Sequence, residues 1–192
     1  MFKFSKPRWQ VLKDKKVYET PIFSLHEKDV VPDGEKGTKP FYVLEAPEWI
    51  NVIALTEDGN IVLVEQYRHG IDETTLEIPG GMTDAGETPL EAAKRELVEE
   101  TGYTSNKWTF LGKSSSNPAI INNFTHLYLA ENCAKTEKQH TDGTEDIAVH
   151  TLPVADFLKY VKEGIVHHAI VMAAVSLLLL NMPELNSLET NS

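Results

Sequence analysis

The sequence predicts an α/β fold on three observations: short β-branched and aromatic runs separated by turn residues, one helix marked at both ends, and two helical stretches that close the chain. The opening runs Trp9 to Glu19, Ile22 to Val31 and Phe41 to Leu44 read as strands, with a polar turn segment over residues 32–40. Trp49 to Leu55 and Ile61 to Tyr67 flank Thr56-Glu57-Asp58-Gly59-Asn60, whose Asp-Gly step favours a hairpin. Val52-Ile53-Ala54-Leu55 and Ile61-Val62-Leu63-Val64 are continuously apolar, as strands covered on both faces are. Further strands are expected at Trp108 to Ser114, Thr125 to Ala130 and Ile147 to Leu152.

The spacing predicts a helix over Pro89 to Thr101. Thr88 suits the N-cap, Pro89 the first helical position, and Glu91 completes a Thr-x-x-Glu capping box. Gly102 suits the C-terminal stop. Two helices follow, over Val154 to Glu163 and Val166 to Asn181; the second is apolar nearly all round and is expected to be buried.

With 192 residues and 41% hydrophobic content, the chain has the size of one ordinary domain with a small extension. A net charge of −11 argues against nucleic-acid binding, which needs clustered cations. The single Cys133 excludes an intrachain disulfide and, with no long apolar run at the start, points to a reducing, cytoplasmic setting. The strongest apolar stretch, Ala169 to Leu180, has twelve residues. That is short of the roughly 20 that span a bilayer, so no membrane association is expected.

At ~100° per residue, Glu96, Glu99 and Glu100 fall on one face of the Pro89–Thr101 helix, beside the apolar stripe of Leu90, Ala93 and Leu97. An acidic helix face is ordinarily just solvated, but this one is unfavourable by itself. Like charges at i, i+4 cost about 0.2–0.5 kcal/mol, and anions in a last helical turn oppose the dipole. A hard divalent cation bound through oxygen removes both penalties. Before the helix stands Leu76-Glu77-Ile78-Pro79-Gly80-Gly81-Met82, a strand end entering a glycine turn. Paired glycines permit close backbone approach, so the Gly80 carbonyl is a further candidate ligand.

Gly81, five residues, Glu87, seven residues, and then Arg95-Glu96-Leu97-Val98-Glu99-Glu100-Thr101-Gly102-Tyr103 resemble the Nudix box, with Tyr103 where an aliphatic residue is usual. The resemblance implies a Nudix α/β/α sandwich with a mixed sheet, and Mg²⁺-dependent hydrolysis, with Mn²⁺ as substitute, of a nucleoside diphosphate linked to another group. It implies Glu96, Glu100 and the Gly80 carbonyl as metal ligands, Glu99 as an additional ligand or catalytic residue, Arg95 as catalytic and forming an orienting pair with Glu87, and Gly81 and Met82 as substrate-binding.

Beyond the box, the chain is similar to the ADP-ribose pyrophosphatase branch, which acts on nucleoside diphosphate sugars. Strands before Trp49 resemble that branch's dimerising segment, and Glu65-Gln66-Tyr67-Arg68 resembles the strand carrying its phosphate-binding arginine. Pro118 lies sixteen residues beyond Gly102, where that branch keeps a proline, and Thr144-Glu145-Asp146-Ile147 resembles its late acidic loop. Glu145 is thereby implied as metal ligand or general base. Residues 1–47 are expected to form the dimerising extension, 48–183 the hydrolase domain and 184–192 a frayed tail.

The segment Ser116-Asn117-Pro118-Ala119-Ile120-Ile121 departs from the Pro-Gly turn followed by acids that is usual in ADP-ribose-cleaving relatives, which leaves GDP-mannose and other sugar nucleotides open. Dinucleoside polyphosphates or nucleoside triphosphates are the alternative substrates, and a non-catalytic nucleotide sensor the alternative class. Trp49 is a candidate for base stacking, Trp9 a weaker one. His167-His168 is expected to play a structural role.

Overall fold

The computed structural model describes residues 3, 8–140 and 146–185. The chain divides into two compact units, Met1–Pro47 with Asn117–Asn123, and Glu48–Ser116 with Phe124–Ser192. Asn117–Asn123, which holds Pro118, therefore groups with the N-terminal segment and not with its own chain neighbours.

In the first unit β1 (Trp9–Glu19), β2 (Ser24–Pro32) and β3 (Lys39–Glu45) form an antiparallel three-stranded sheet. β2 begins at Ser24 because Thr20 closes a turn before it: its hydroxyl accepts from the Phe23 N–H at 3.0 Å. Every residue of the edge strand β1 is exposed, including Trp9, Val11, Leu12 and Tyr18.

The second unit is built on an eight-stranded mixed sheet. β4 (Trp49–Thr56) pairs antiparallel with β5 (Asn60–Arg68) and with β7 (Gly80–Met82); β6 (Glu73–Glu77) pairs with β5. β8 (Tyr103–Thr104) and β9 (Lys107–Ser114) pair with β10 (Thr125–Lys135), which runs parallel to β4, and β11 (Ile147–Pro153) closes the far side on β5. The one parallel pair, β4 with β10, makes the sheet mixed.

Strand alternation divides the core. Ile50, Val52 and Ala54 of β4 and Val62 of β5 pack with Ala92, Ala93 and Leu97 of α1 (Pro89–Thr101). Ile53, Ile61 and Leu63 point the opposite way, onto Phe157 and Leu158 of α2 (Val154–Lys162) and onto Ile170, Val171, Ala174, Val175 and Leu178 of α3 (Ala169–Asn181). Helices thus cover both faces, which is why both strands read as continuous apolar runs.

α3 corrects one expectation, since it starts at Ala169 and is not buried all round. Met172, Ser176 and Leu180, four residues apart, form an exposed line, with Leu180 77% exposed. Among the described residues no helix is long and apolar enough to cross a membrane. The strands β6, β7 and β8 are too short to carry a periodic signal in the sequence.

Candidate active site

α1 is fixed at both ends by its own sequence. The Thr88 hydroxyl accepts from the Glu91 N–H while the Glu91 carboxylate accepts from the Thr88 N–H at 2.8 Å, which completes the capping box. At the other end Gly102 has φ 74°, and its N–H reaches the Val98 carbonyl at 2.8 Å. The chain after β10 returns to this end: Thr136 and Glu137 donate their N–H groups to the Gly102 carbonyl, and His140 donates to the Glu99 carbonyl at 2.8 Å. These donors offset the negative end of the helix dipole, where the last turn has no basic side chain. A Cβ on Gly102 would stand 2.4 Å from the Glu137 carbonyl oxygen, so close approach as well as left-handed φ requires glycine here.

β7 brings the glycine pair onto α1. Glu100 is buried, and its carboxylate accepts the Gly80 N–H at 2.9 Å. The Glu96 carboxylate lies against Gly81 so closely that a Cβ there would stand 2.3 Å from Oε1. At Gly80 a Cβ would meet the Ile50 carbonyl oxygen and Asn51 Nδ2, both at 2.3 Å. Two carboxylates four residues apart are thus held against two consecutive glycines. Asn51, which the sequence did not single out, steadies this turn: its buried amide donates to the Ile78 and Pro79 carbonyls, each at 3.3 Å.

Arg95 changes the electrostatics of the acid face. Its Nη1 donates to Glu96 Oε1 and Glu99 Oε2, both at 2.9 Å, and Nε and Nη2 grip the two oxygens of Glu87, both at 3.0 Å. Nη2 also reaches the Met82 carbonyl at 2.9 Å. The expected repulsion is therefore partly offset before any metal arrives: one guanidinium lies among Glu96 and Glu99 of the acid face and Glu87 beside it. Its hydrogen bonds hold the Glu87 carboxyl below its usual pKa, and Glu87 foremost raises that of Arg95.

The side-chain donors held at this turn, those of Glu96 and Glu100, are all oxygens. Such a set fits a hard divalent cation such as Mg²⁺ and gives no purchase to a soft one. Cys133 is buried in the core beneath α1, and burial pushes its thiol up to about 11.

The other candidates fall as follows. Met82 is exposed and lies opposite Trp49 in the β4–β7 register. Trp49 is half-buried against the core that α2 and α3 cover. Arg68, at the end of β5, binds Glu77 through two hydrogen bonds of 2.7 Å. Glu145 lies outside the described residues, as do Thr141 to Thr144. Among the described residues, His168 Nδ1 is buried without a hydrogen-bond partner, and its Nε2 lies 4.0 Å from Glu77.

The first unit holds its own charged cluster. Asp14, His26 and Glu45 bring ligand-capable atoms within 4.8 Å of one another. Lys28 already supplies a cation there, with Nζ 3.0 Å from both Asp14 and Glu45.

The family model for the NUDIX domain matches residues 47–173. The chain is 33% identical over 165 residues to the ADP-ribose pyrophosphatase of Bacillus subtilis (strain 168), covering 82% of this chain and 88% of that one. It is 31% identical over 171 residues to the methanol dehydrogenase activator of Bacillus methanolicus, covering 88% and 91%. A crystal structure of an ADP compounds hydrolase superposes with a TM-score of 0.81 at 22% identity, over 95% of this chain and 98% of the other, which shows the same fold. The helix that carries Glu96 and Glu100 to the glycine turn lies inside the matched segment, and the chain belongs to the Nudix family as a Nudix hydrolase.

Proposed function

We propose that this hydrolase cleaves the diphosphate bond of nucleoside diphosphate sugars, ADP-ribose or GDP-mannose among them, to a nucleoside monophosphate and a sugar phosphate. The observation that carries the reading is the placement of Glu96 and Glu100 against the Gly80–Gly81 turn, where the missing Cβ at Gly81 makes room for the Glu96 carboxylate and the Gly80 N–H binds Glu100. Similarity to an ADP-ribose pyrophosphatase over most of both chains supports the substrate class.

In this reading Glu96, Glu100 and the Gly80 carbonyl hold Mg²⁺, for which Mn²⁺ substitutes. When bound there, such an ion would offset the diphosphate charge and lower the pKa of a water, easing its deprotonation to a nucleophile. Arg95, anchored on Glu87, holds Glu96 and Glu99 in place. Arg68 contacts the diphosphate, Gly81 and Met82 border it, and Trp49 offers its ring to the base. Glu145, assigned from the Thr144-Glu145-Asp146-Ile147 resemblance, takes the proton of the attacking water or completes the metal sphere. The working form is a cytoplasmic homodimer joined through residues 1–47.

Product analysis with Mg²⁺ on ADP-ribose, GDP-mannose, UDP-glucose, a dinucleoside polyphosphate and a nucleoside triphosphate tests the reading. Turnover of at least one sugar nucleotide is expected; turnover of only the last two substrates overturns the substrate class. Nucleotide binding without any turnover would assign the chain to the sensors. In Glu145→Gln, kcat falls about 10²–10⁴-fold at unchanged Mg²⁺ dependence if Glu145 is the base. If it is a ligand, the Mg²⁺ requirement moves upward and added metal restores part of the rate.

A further inference from the structure

A strand-end arginine ordinarily makes loose surface ion pairs. Opposite Arg68 across the strand pair lies Glu73, an exposed carboxylate. In the β5–β6 register Val64 faces Glu77, Gln66 faces Thr75 and Arg68 faces Glu73, so Thr75, Glu77 and Arg68 share one face of the hairpin. The Arg68 side chain runs back along that face, and its Nε and Nη2 meet Glu77 Oε1 and Oε2, each at 2.7 Å. Glu77 is fully buried while the Arg68 side chain is 39% exposed. Thr75 donates its hydroxyl at 2.6 Å to Glu77 Oε1, the same oxygen that Arg68 Nε meets, and adds a second anchor for the carboxylate. Burial works to raise the Glu77 pKa, but the Arg68 and Thr75 hydrogen bonds outweigh it, and the carboxyl stays below its usual value.

A buried anion with a planar, two-point grip fixes both the position and the plane of a guanidinium that is itself part-exposed. We propose that Glu77 is the positioning residue for Arg68, setting the guanidinium before substrate arrives so that it meets the diphosphate as a rigid donor. The inference rests on the reading above that Arg68 contacts the diphosphate. Against it stands the opposite dependence, in which Arg68 serves only to neutralise Glu77.

A double-mutant cycle separates the two. Wild type, Glu77→Gln, Arg68→Ala and the double variant are compared by calorimetric affinity for inorganic pyrophosphate and by kcat/KM on ADP-ribose. Glu77→Gln alone is expected to weaken both by about 10- to 100-fold, and to add nothing in the Arg68→Ala background. Arg68→Lys leaves Glu77 a cationic partner but lacks the fork, and is expected to lose as much affinity while melting near the wild-type temperature. This second variant decides the matter if Glu77→Gln folds poorly. Wild-type affinity in Glu77→Gln, a full additional loss in the double variant, or no pyrophosphate binding by the wild type overturns the proposal. Pyrophosphate binding that follows the cycle, with no sugar nucleotide cleaved, removes the substrate reading and leaves the role of Glu77 standing.

Discussion

The Gly80 N–H and the buried Glu100 carboxylate meet at 2.9 Å across twenty residues of sequence, tying β7 to the last turn of α1. Glutamine at this position keeps an oxygen for that donor and removes an anion from a crowded helix end. Alanine leaves the donor unpaired, at a cost of about 1–3 kcal/mol. Thermal melts without metal are expected to place Glu100→Gln at or above the wild type and Glu100→Ala several degrees below it. Equal melting of the two variants would show that the hydrogen bond contributes nothing.

The two glycines predict different failures. At Gly81 an added Cβ meets the movable end of Glu96, whereas at Gly80 it meets the Ile50 backbone carbonyl. Gly81→Ala is therefore expected to fold with nearly unchanged stability but to displace Glu96, lowering kcat/KM by about 10²-fold. Gly80→Ala should lose stability as well. Differential scanning calorimetry alongside kinetics checks both; a Gly81→Ala variant with wild-type activity would mean that the Glu96 position is not required.

Acid titration of stability tests the Arg95 network. Glu87, held by Arg95, and Glu77, held by Arg68, both have folded-state pKa values below their usual ones. A depressed carboxyl contributes stability that is fully present above its unfolded value of about 4.3 and is lost as pH falls through the folded value. Unfolding free energy should therefore drop below roughly pH 4.3 in the wild type, and less steeply in Arg95→Ala. Identical slopes would remove the Glu87–Arg95 contribution.

The layout of α1 was legible because each of its signals is local: cap, first-turn proline, acid spacing and terminal glycine lie within fifteen residues and depend on helix geometry alone. The two-sided sheet was legible in β4 and β5 for the same reason. What the sequence did not disclose is which distant groups meet. Glu77 reads there as one more polar residue of a short strand, and only the β5–β6 register brings it under Arg68. Asn51 gave a weak signal as a polar residue inside an apolar strand, but its place beside the glycine turn comes only from the fold. The role of Arg95 among Glu87, Glu96 and Glu99 depends on side-chain reach, so the helix wheel could not show that part of the repulsion is offset.

The first unit makes a separate prediction. Its edge strand leaves Trp9, Val11, Leu12 and Tyr18 exposed, an apolar surface of the kind that marks association. Light scattering at micromolar concentration is expected to give a dimer, and Leu12→Glu to shift it toward monomer. A monomeric wild type would contradict the assigned role of residues 1–47.

In the proposed reaction, carboxylates on α1 hold a divalent cation without which no turnover occurs. The direct measurement is ADP-ribose turnover against Mg²⁺ concentration for the wild type and Glu100→Gln, with products identified. Where ADP-ribose is turned over, AMP and ribose 5-phosphate are expected from the wild type only when Mg²⁺ is present, with most activity lost in Glu100→Gln at every Mg²⁺ concentration. Wild-type turnover that persists with excess chelator, or a Glu100→Gln variant that matches the wild type, would contradict it.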